Sequence, residues 1–329
     1  MFLKQKFTKN LLAIAVTLAV LAPAAHALEI KAEVSGTVDG VAFATDTDVA
    51  ASGNVDVLDS VVGGSGLSDV FYHTYGSDTG NFGSRVSGNG TYDITGIFSY
   101  KETINNTTGS AQAYNFDFEV IPGELSLSGT PTDSGEFLMA EYTIDILVNG
   151  ASIWNSFANV EKTDASSSAT FTFGGTPLND TSVPGPNVLD SAGFSSYIWG
   201  TYADSIALGV LGNGDSLDFE YILTSHAAGN VDPSNCFSGD FKFNFDGVMG
   251  GADGQEGDGF FGGEMMGSCG SVARSGDPFH FGGTGPNTSN ITSSPTAQVS
   301  EPGSLALLGL GLVGVLANRR RKNKAKLIG

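Results

Sequence analysis

The chain has 329 residues and a formal charge of −20, from 15 Lys and Arg against 35 Asp and Glu. Six of those cations and all 35 acids lie between Leu28 and Pro302, so that stretch carries −29. This excludes a nucleic-acid binder, which needs a basic surface to displace counterions, and a multi-pass membrane protein, since no long apolar segment interrupts the acidic stretch. Hydrophobic residues at 40% and aromatics at 10% suffice for a sizeable core, so a folded body is expected.

Residues 1–27 read as a secretory signal. Lys4, Lys6 and Lys9 form a positive start, Leu11 to Leu21 an apolar run too short to span a bilayer, and Ala25-His26-Ala27 a small-residue cleavage site. Cleavage after Ala27 starts the mature chain near Leu28, outside the cytoplasm.

Residues 28–281 read as one antiparallel β-sandwich, jelly-roll-like, in an all-β protein. Leu28, Ile30, Ala32 and Val34 alternate with polar residues. So do Tyr92, Ile94, Phe98 and Tyr100; Tyr114, Phe116, Phe118 and Val120; Tyr142, Ile144, Ile146 and Val148; Leu217, Phe219, Tyr221 and Leu223; and Phe241, Phe243 and Phe245. Period-two alternation puts apolar side chains on one face of a pleated sheet and acids on the other. Asp39-Gly40 and Asn149-Gly150 suit the positive φ of type I′ hairpins, and the Gly212–Asp215 stretch separates two further strands. Many short strands with frequent turns favour a sandwich or barrel.

Cys236 and Cys269 are the only cysteines, and 32 residues with ten glycines separate them. In an oxidising compartment a lone pair usually bonds, so a structural disulfide is expected. Closing that loop contributes about 3–4 kcal/mol on the chain-entropy model. Within it, Asp246, Asp253, Glu256 and Asp258 are candidate calcium ligands, but their spacing fits neither an EF-hand nor a glycine-aspartate nonapeptide, and a solvated acidic loop is the simpler reading. No metal or other cofactor is implied.

Catalytic signatures are missing. His73, His226 and His280 form no H-x-x-H or H-E-x-x-H pattern, and no G-x-S-x-G elbow occurs. Gly63-Gly64-Ser65-Gly66 lacks the lysine and following helix pattern of a phosphate cradle. Trp154, Trp199, Tyr197 and Tyr202 are candidates for a sugar-stacking platform, with a place in the core as the competing reading.

Residues 282–299, rich in Gly, Pro, Ser, Thr and Asn, read as a flexible stalk. Residues 300–329 are a tail in three parts: Ser300-Glu301-Pro302, an uncharged run from Leu305 to Ala317 within a span of 304–318, and a basic cluster over 319–326 that begins Arg319-Arg320-Arg321-Lys322. The thirteen-residue run spans about 20 Å as a helix, against a hydrocarbon core of about 30 Å. It makes a short transmembrane segment whose arginines snorkel and stay cytoplasmic.

This tail resembles the PEP-CTERM sorting signal of Gram-negative bacteria, matching its three parts in order, with Ser300 where the family usually has its first proline. The stretches 105–109, 221–229 and 273–278 also look like patterns in the β-rich bodies of PEP-CTERM proteins. The resemblance implies that an exosortase, a membrane-embedded cysteine transpeptidase, recognises the tail at the inner membrane. It also implies release toward the cell surface alongside exopolysaccharide. Together these readings predict a non-enzymatic surface or extracellular-matrix protein. The alternatives are a carbohydrate-binding module for exopolysaccharide and, behind it, an exported hydrolase.

Overall fold

The alternation read from the sequence is what the fold buries. In β1 (Leu28–Val38), Ile30, Ala32 and Val34 are buried, while Lys31 and Glu33 between them keep contact with solvent. The same one-sided burial runs through β7 (Thr91–Asn105), β8 (Gln112–Val120), β10 (Phe137–Val148) and β16 (Ser216–Asn230). The computed structural model describes residues 28–65, 67–78, 80, 82–120, 122–164, 166, 168–178, 188–191, 193–232, 269–275 and 291–296. The segments read as a signal peptide and a transmembrane span, and Phe241, Phe243 and Phe245, lie outside them.

The remaining strands are β2 (Val41–Ala42), β3 (Asp46–Ala50), β4 (Asn54–Val62), β5 (Asp69–Ser77), β6 (Phe82–Asn89), β9 (Gly123–Ser128), β11 (Ala151–Thr163), β12 (Thr170–Gly175), β13 (Val188–Ser191), β14 (Phe194–Trp199), β15 (Tyr202–Leu211), β17 (Gly270–Ser275) and β18 (Ile291–Pro295). They form a large sheet in the order β12-β11-β10-β16-β7-β1-β2, with β3 also on β1, a facing sheet β13-β14-β9-β17-β6-β5-β4, and a small sheet β15-β8-β18. All recorded pairings are antiparallel.

The large and facing sheets stack strand over strand: β11 over β9 and β14, β10 over β9 and β17, β16 over β17 and β6, β7 over β6 and β5, and β1 over β5 and β4. This is an aligned β-sandwich, as expected. It departs from the eight strands in two sheets of a simple jelly roll. The strands β7 and β16, each 15 residues long, outrun the facing sheet, whose longest strands have nine. The small sheet covers part of the overhang, setting the Phe116 ring 4.7 Å from Phe219 and the Phe118 ring 5.0 Å from Trp154. Nearer the middle, Phe82 of the facing sheet packs 5.3 Å from Phe98 and 4.9 Å from Tyr221.

Hairpin chemistry acts as read. Asp39 and Gly40 have φ of 51° and 71°, and Asn149 and Gly150 have 51° and 76°, the left-handed pair that a type I′ turn requires. Gly76 of β5 lies where any side chain would strike the Phe98 ring, so glycine there sets how closely the two sheets approach.

Two units are distinguishable along the chain, 1–293 and 294–329. Within the stretch read as a stalk, Ile291–Pro295 is a strand, β18, placed beside β8. Its Ile291 packs against the core, which gives an otherwise Ser- and Thr-rich segment an apolar hold.

Candidate functional site

The outer face of the large sheet is wetted, and at the end where β1 begins it carries a groove of about 520 Å³. The register sets Glu29, Lys101 and Glu220 in one row across β1, β7 and β16. The Lys101 Nζ lies 3.0 Å from the Glu220 carboxylate, and the Thr103 hydroxyl donates to Asp218 at 2.9 Å. Leu28, Glu102, Gly150 and Phe219 complete the groove. Lys101 among Glu29, Glu102, Asp218 and Glu220 makes an anionic, hydrogen-bonding surface.

The described histidines sit on sheet faces, each against one carboxylate. His73 Nε2 is 3.0 Å from Asp56 and His226 Nε2 is 3.0 Å from Asp93. Burial lowers the His73 pKa more than Asp56 raises it, and Arg85 adds to the lowering. Its Nδ1 is buried and has no hydrogen-bond partner among the described residues. His280 lies outside the described residues.

The aromatic candidates for a sugar platform are core residues. Trp199 is 0% exposed, Tyr197 2% and Trp154 8%. Trp199 packs 4.4 Å from the Tyr142 ring and 5.6 Å from the Tyr197 ring, and Tyr202 stands 6.1 Å from Trp154. Trp154 lies in β11, Tyr197 and Trp199 in β14 and Tyr202, partly buried against the core, in β15, so the stacking platform is corrected to core packing.

Cys269 is buried immediately before β17, against Gly129. Cys236 and the calcium candidates Asp246, Asp253, Glu256 and Asp258 lie outside the described residues, as do Ala25, Ala27, Ser300, Glu301, Pro302, Arg319, Arg320, Arg321 and Lys322.

Sequence reading missed several structural polar groups. Asn106, 0% exposed, donates through its amide to the carbonyls of Ser110, Leu211 and Gly212 and accepts from Thr108. Glu136 gathers the backbone N–H groups of Thr132, Asp133 and Asp232. Burial would raise its pKa, but those donors together hold it below the usual carboxylate value. The turn composition around Asn106 was one available signal; Glu136 caps the nearby Thr132 and Asp133 turn, but its bond to Asp232, 96 positions away, had none.

Residues 298–322 match the family model of the PEP-CTERM protein-sorting motif. The chain carries a PEP-CTERM sorting tail. The match takes in Ser300-Glu301-Pro302, the apolar run and Arg319 to Lys322, so the serine at the first motif position does not remove the chain from the pattern. PEP-CTERM tails mark exported proteins that an exosortase processes at the membrane, and this chain is sorted in that way. No curated protein matches it.

Proposed function

We propose that this chain is a non-enzymatic cell-surface or extracellular-matrix protein of a Gram-negative bacterium. A signal peptide exports it, the apolar tail holds it at the inner membrane, and an exosortase cuts the tail and passes the β-sandwich toward the surface. There it associates with exopolysaccharide. The observation that carries this reading is the sorting motif at 298–322.

The body is a display module. Its −29 charge keeps it soluble and repels anionic polymers unless divalent ions bridge them. A Cys236–Cys269 disulfide staples it, a reading supported by export and by the burial of Cys269 beside the entry to β17.

The test is C-terminal peptide mapping of envelope and medium fractions from the native host, with and without its exosortase. Surface material is expected to end before Leu305, and cells without the enzyme are expected to retain the full tail in the membrane. A cytoplasmic pool, or tails left whole in medium fractions, overturns the proposal.

A further inference from the structure

None of the described strands is stacked on the outer face of the large sheet: the facing sheet and the small sheet both pack on its inner side. Its side chains keep contact with solvent, and those of Lys31, Glu33 and His226 are 36%, 28% and 25% exposed. The register lays three rows across the middle of this face. The central row is Glu33, Ile97, Thr224, Thr143 and Phe157. Beside it run Lys31, Ser99, Ile222, Asp145 and Asn155, and on the other side Thr95, His226, Glu141 and Asn159.

Two features of these rows point to a ligand. Ile97, Ile222 and Phe157 are apolar and only partly buried, set among short hydroxyl and amide groups. The carboxylates are the second feature. Lys31 is engaged by Glu33 at 2.5 Å and Lys101 by Glu220 at 3.0 Å. Glu141 and Asp145 are held by neutral donors, the Asn159 amide at 3.4 Å and the Ser152 hydroxyl at 2.5 Å. Their register partners are His226, Asn159, Ile222 and Asn155, so no lysine or arginine stands directly opposite either one. Toward the start of β1 the same face continues into the groove lined by Glu29, Asp218 and Glu220.

We propose that this face binds a polysaccharide carrying free amines, laid across the strands with its ammonium groups against Glu141 and Asp145 and a sugar ring on Phe157. The inference rests on the reading that the body associates with exopolysaccharide, and it names the chemistry of that polymer. Charge selects it: a body of −29 repels uronate and phosphate polymers, and a second copy of itself, and attracts a cationic chain. Backbone groups in the middle of a sheet are already paired, so a basic peptide finds no edge to extend. A glycan needs none. Strands about 4.8 Å apart repeat polar side chains at close to the length of one sugar ring, and Ile97 to Phe157 spans about 14 Å, the reach of a short oligosaccharide. The apolar face of a pyranose covers the Phe157 ring while its hydroxyls meet Thr143, Thr224 and Asn155.

Titration calorimetry on the mature chain tests this with a glucosamine hexamer, an N-acetylglucosamine hexamer, hexalysine, and alginate with calcium. The glucosamine hexamer is expected to bind, and the acetylated one about tenfold more weakly. The Glu141→Gln, Asp145→Asn double variant should weaken the glucosamine hexamer about tenfold, and Phe157→Ala about fivefold. Asp59→Asn on the facing sheet should change nothing. The acid variants alter no core side chain, so they decide if Phe157→Ala fails to fold. Absence of glucosamine binding overturns the proposal, as do equal binding of the acetylated hexamer and affinity that the double variant leaves unchanged. Hexalysine bound as tightly assigns the face to a basic peptide, and tighter binding of alginate with calcium assigns it to an anionic polymer; both overturn it. Sorting is read separately by C-terminal mapping, so a correctly delivered chain that ignores aminated glycans loses this inference alone.

Discussion

Tyr92 of β7 and Ser271 of β17 join the two principal sheets by hydrogen bonds through the core. The tyrosine oxygen lies 2.6 Å from the serine hydroxyl and accepts the Ser271 N–H at 2.7 Å. Tyr92 is 3% exposed and Ser271 0% exposed, and burial raises the phenol pKa well above its ordinary 10.0, so the hydroxyl stays protonated. Tyr92→Phe leaves a buried N–H and a buried hydroxyl without their partner. The expected loss is about 2–3 kcal/mol in urea unfolding with an unchanged slope. Ser271→Ala keeps the N–H bond and is expected to cost about 1 kcal/mol.

Asn106 ties the end of β7 to the start of β16. Besides its side-chain bonds, its N–H donates to the Asp215 carbonyl at 2.9 Å and its carbonyl accepts from Gly214 at 2.7 Å. Asn106→Ala removes a donor from the Leu211 carbonyl and the acceptor of the Thr108 N–H, while the Ser110 carbonyl keeps the Thr108 hydroxyl at 3.1 Å. The expected cost is about 3 kcal/mol, seen as a lower melting temperature. Asn106→Asp keeps the bonds from Thr108 but aims a carboxylate at three carbonyls, so it is expected to be no milder. A variant melting like wild type would show that ordered water replaces the amide.

The strands that period-two reasoning found share one property: their inward side chains are large and their outward ones charged, as in Tyr114-Asn115-Phe116-Asp117-Phe118. Sequence reading found few strands in the facing sheet because β6 reads Phe-Gly-Ser-Arg-Val-Ser-Gly-Asn and β17 Gly-Ser-Val-Ala-Arg-Ser, compositions that suit turns. Their serines are tolerated inside because each meets a partner: Ser84 with Thr74 at 3.0 Å, and Ser271 with Tyr92. No local pattern announces partners ten to 179 residues apart. The same limit explains Trp199, since alternation tells which residues share a face and not which face is covered. The tail was legible throughout because its signal is linear, read along the chain without any tertiary partner.

Acid should loosen the body in two stages. Burial lowers the His73 pKa below its ordinary 6.5, with Asp56 only partly offsetting it. The unfolded chain therefore binds that proton first, and stability falls as pH drops from 6.5 through the folded value. Glu136 is also lowered, from an ordinary 4.5, because three backbone donors outweigh its burial; its contribution is present above that value and lost as pH falls through the folded one. Melting temperature against pH is expected to show both declines. His73→Gln should remove the upper one; Glu136→Gln should lessen the lower, to which Asp39 and Asp190, whose pKa values are also lowered, contribute.

Reduction is expected to act through the segment between Cys236 and Cys269. Freeing 32 residues, ten of them glycine, returns about 3–4 kcal/mol of loop entropy to the unfolded chain. Intact mass with and without reductant should differ by two hydrogens, and the reduced chain should unfold at lower urea. Two free thiols in exported material would remove the disulfide from the account.

Lys162 of β11 points inward and is 1% exposed, with its ammonium 3.4 Å from the Gly129 carbonyl. Burial lowers its pKa, and Asp190 only partly restores it. Net lowering means that the folded state disfavours the charge, so the ammonium weakens the fold at neutral pH. Asp190 does not depend on it, since the Ser195 hydroxyl and the Ala169 N–H also bind that carboxylate. Lys162→Met removes the charge, keeps most of the volume and leaves no acid stranded. It is expected to stabilise the body by on the order of 1 kcal/mol in urea unfolding. The advantage should shrink as pH approaches 10.5, where the unfolded lysine also loses its proton. A less stable variant would show that the Gly129 carbonyl and Asp190 together outweigh the cost of burial.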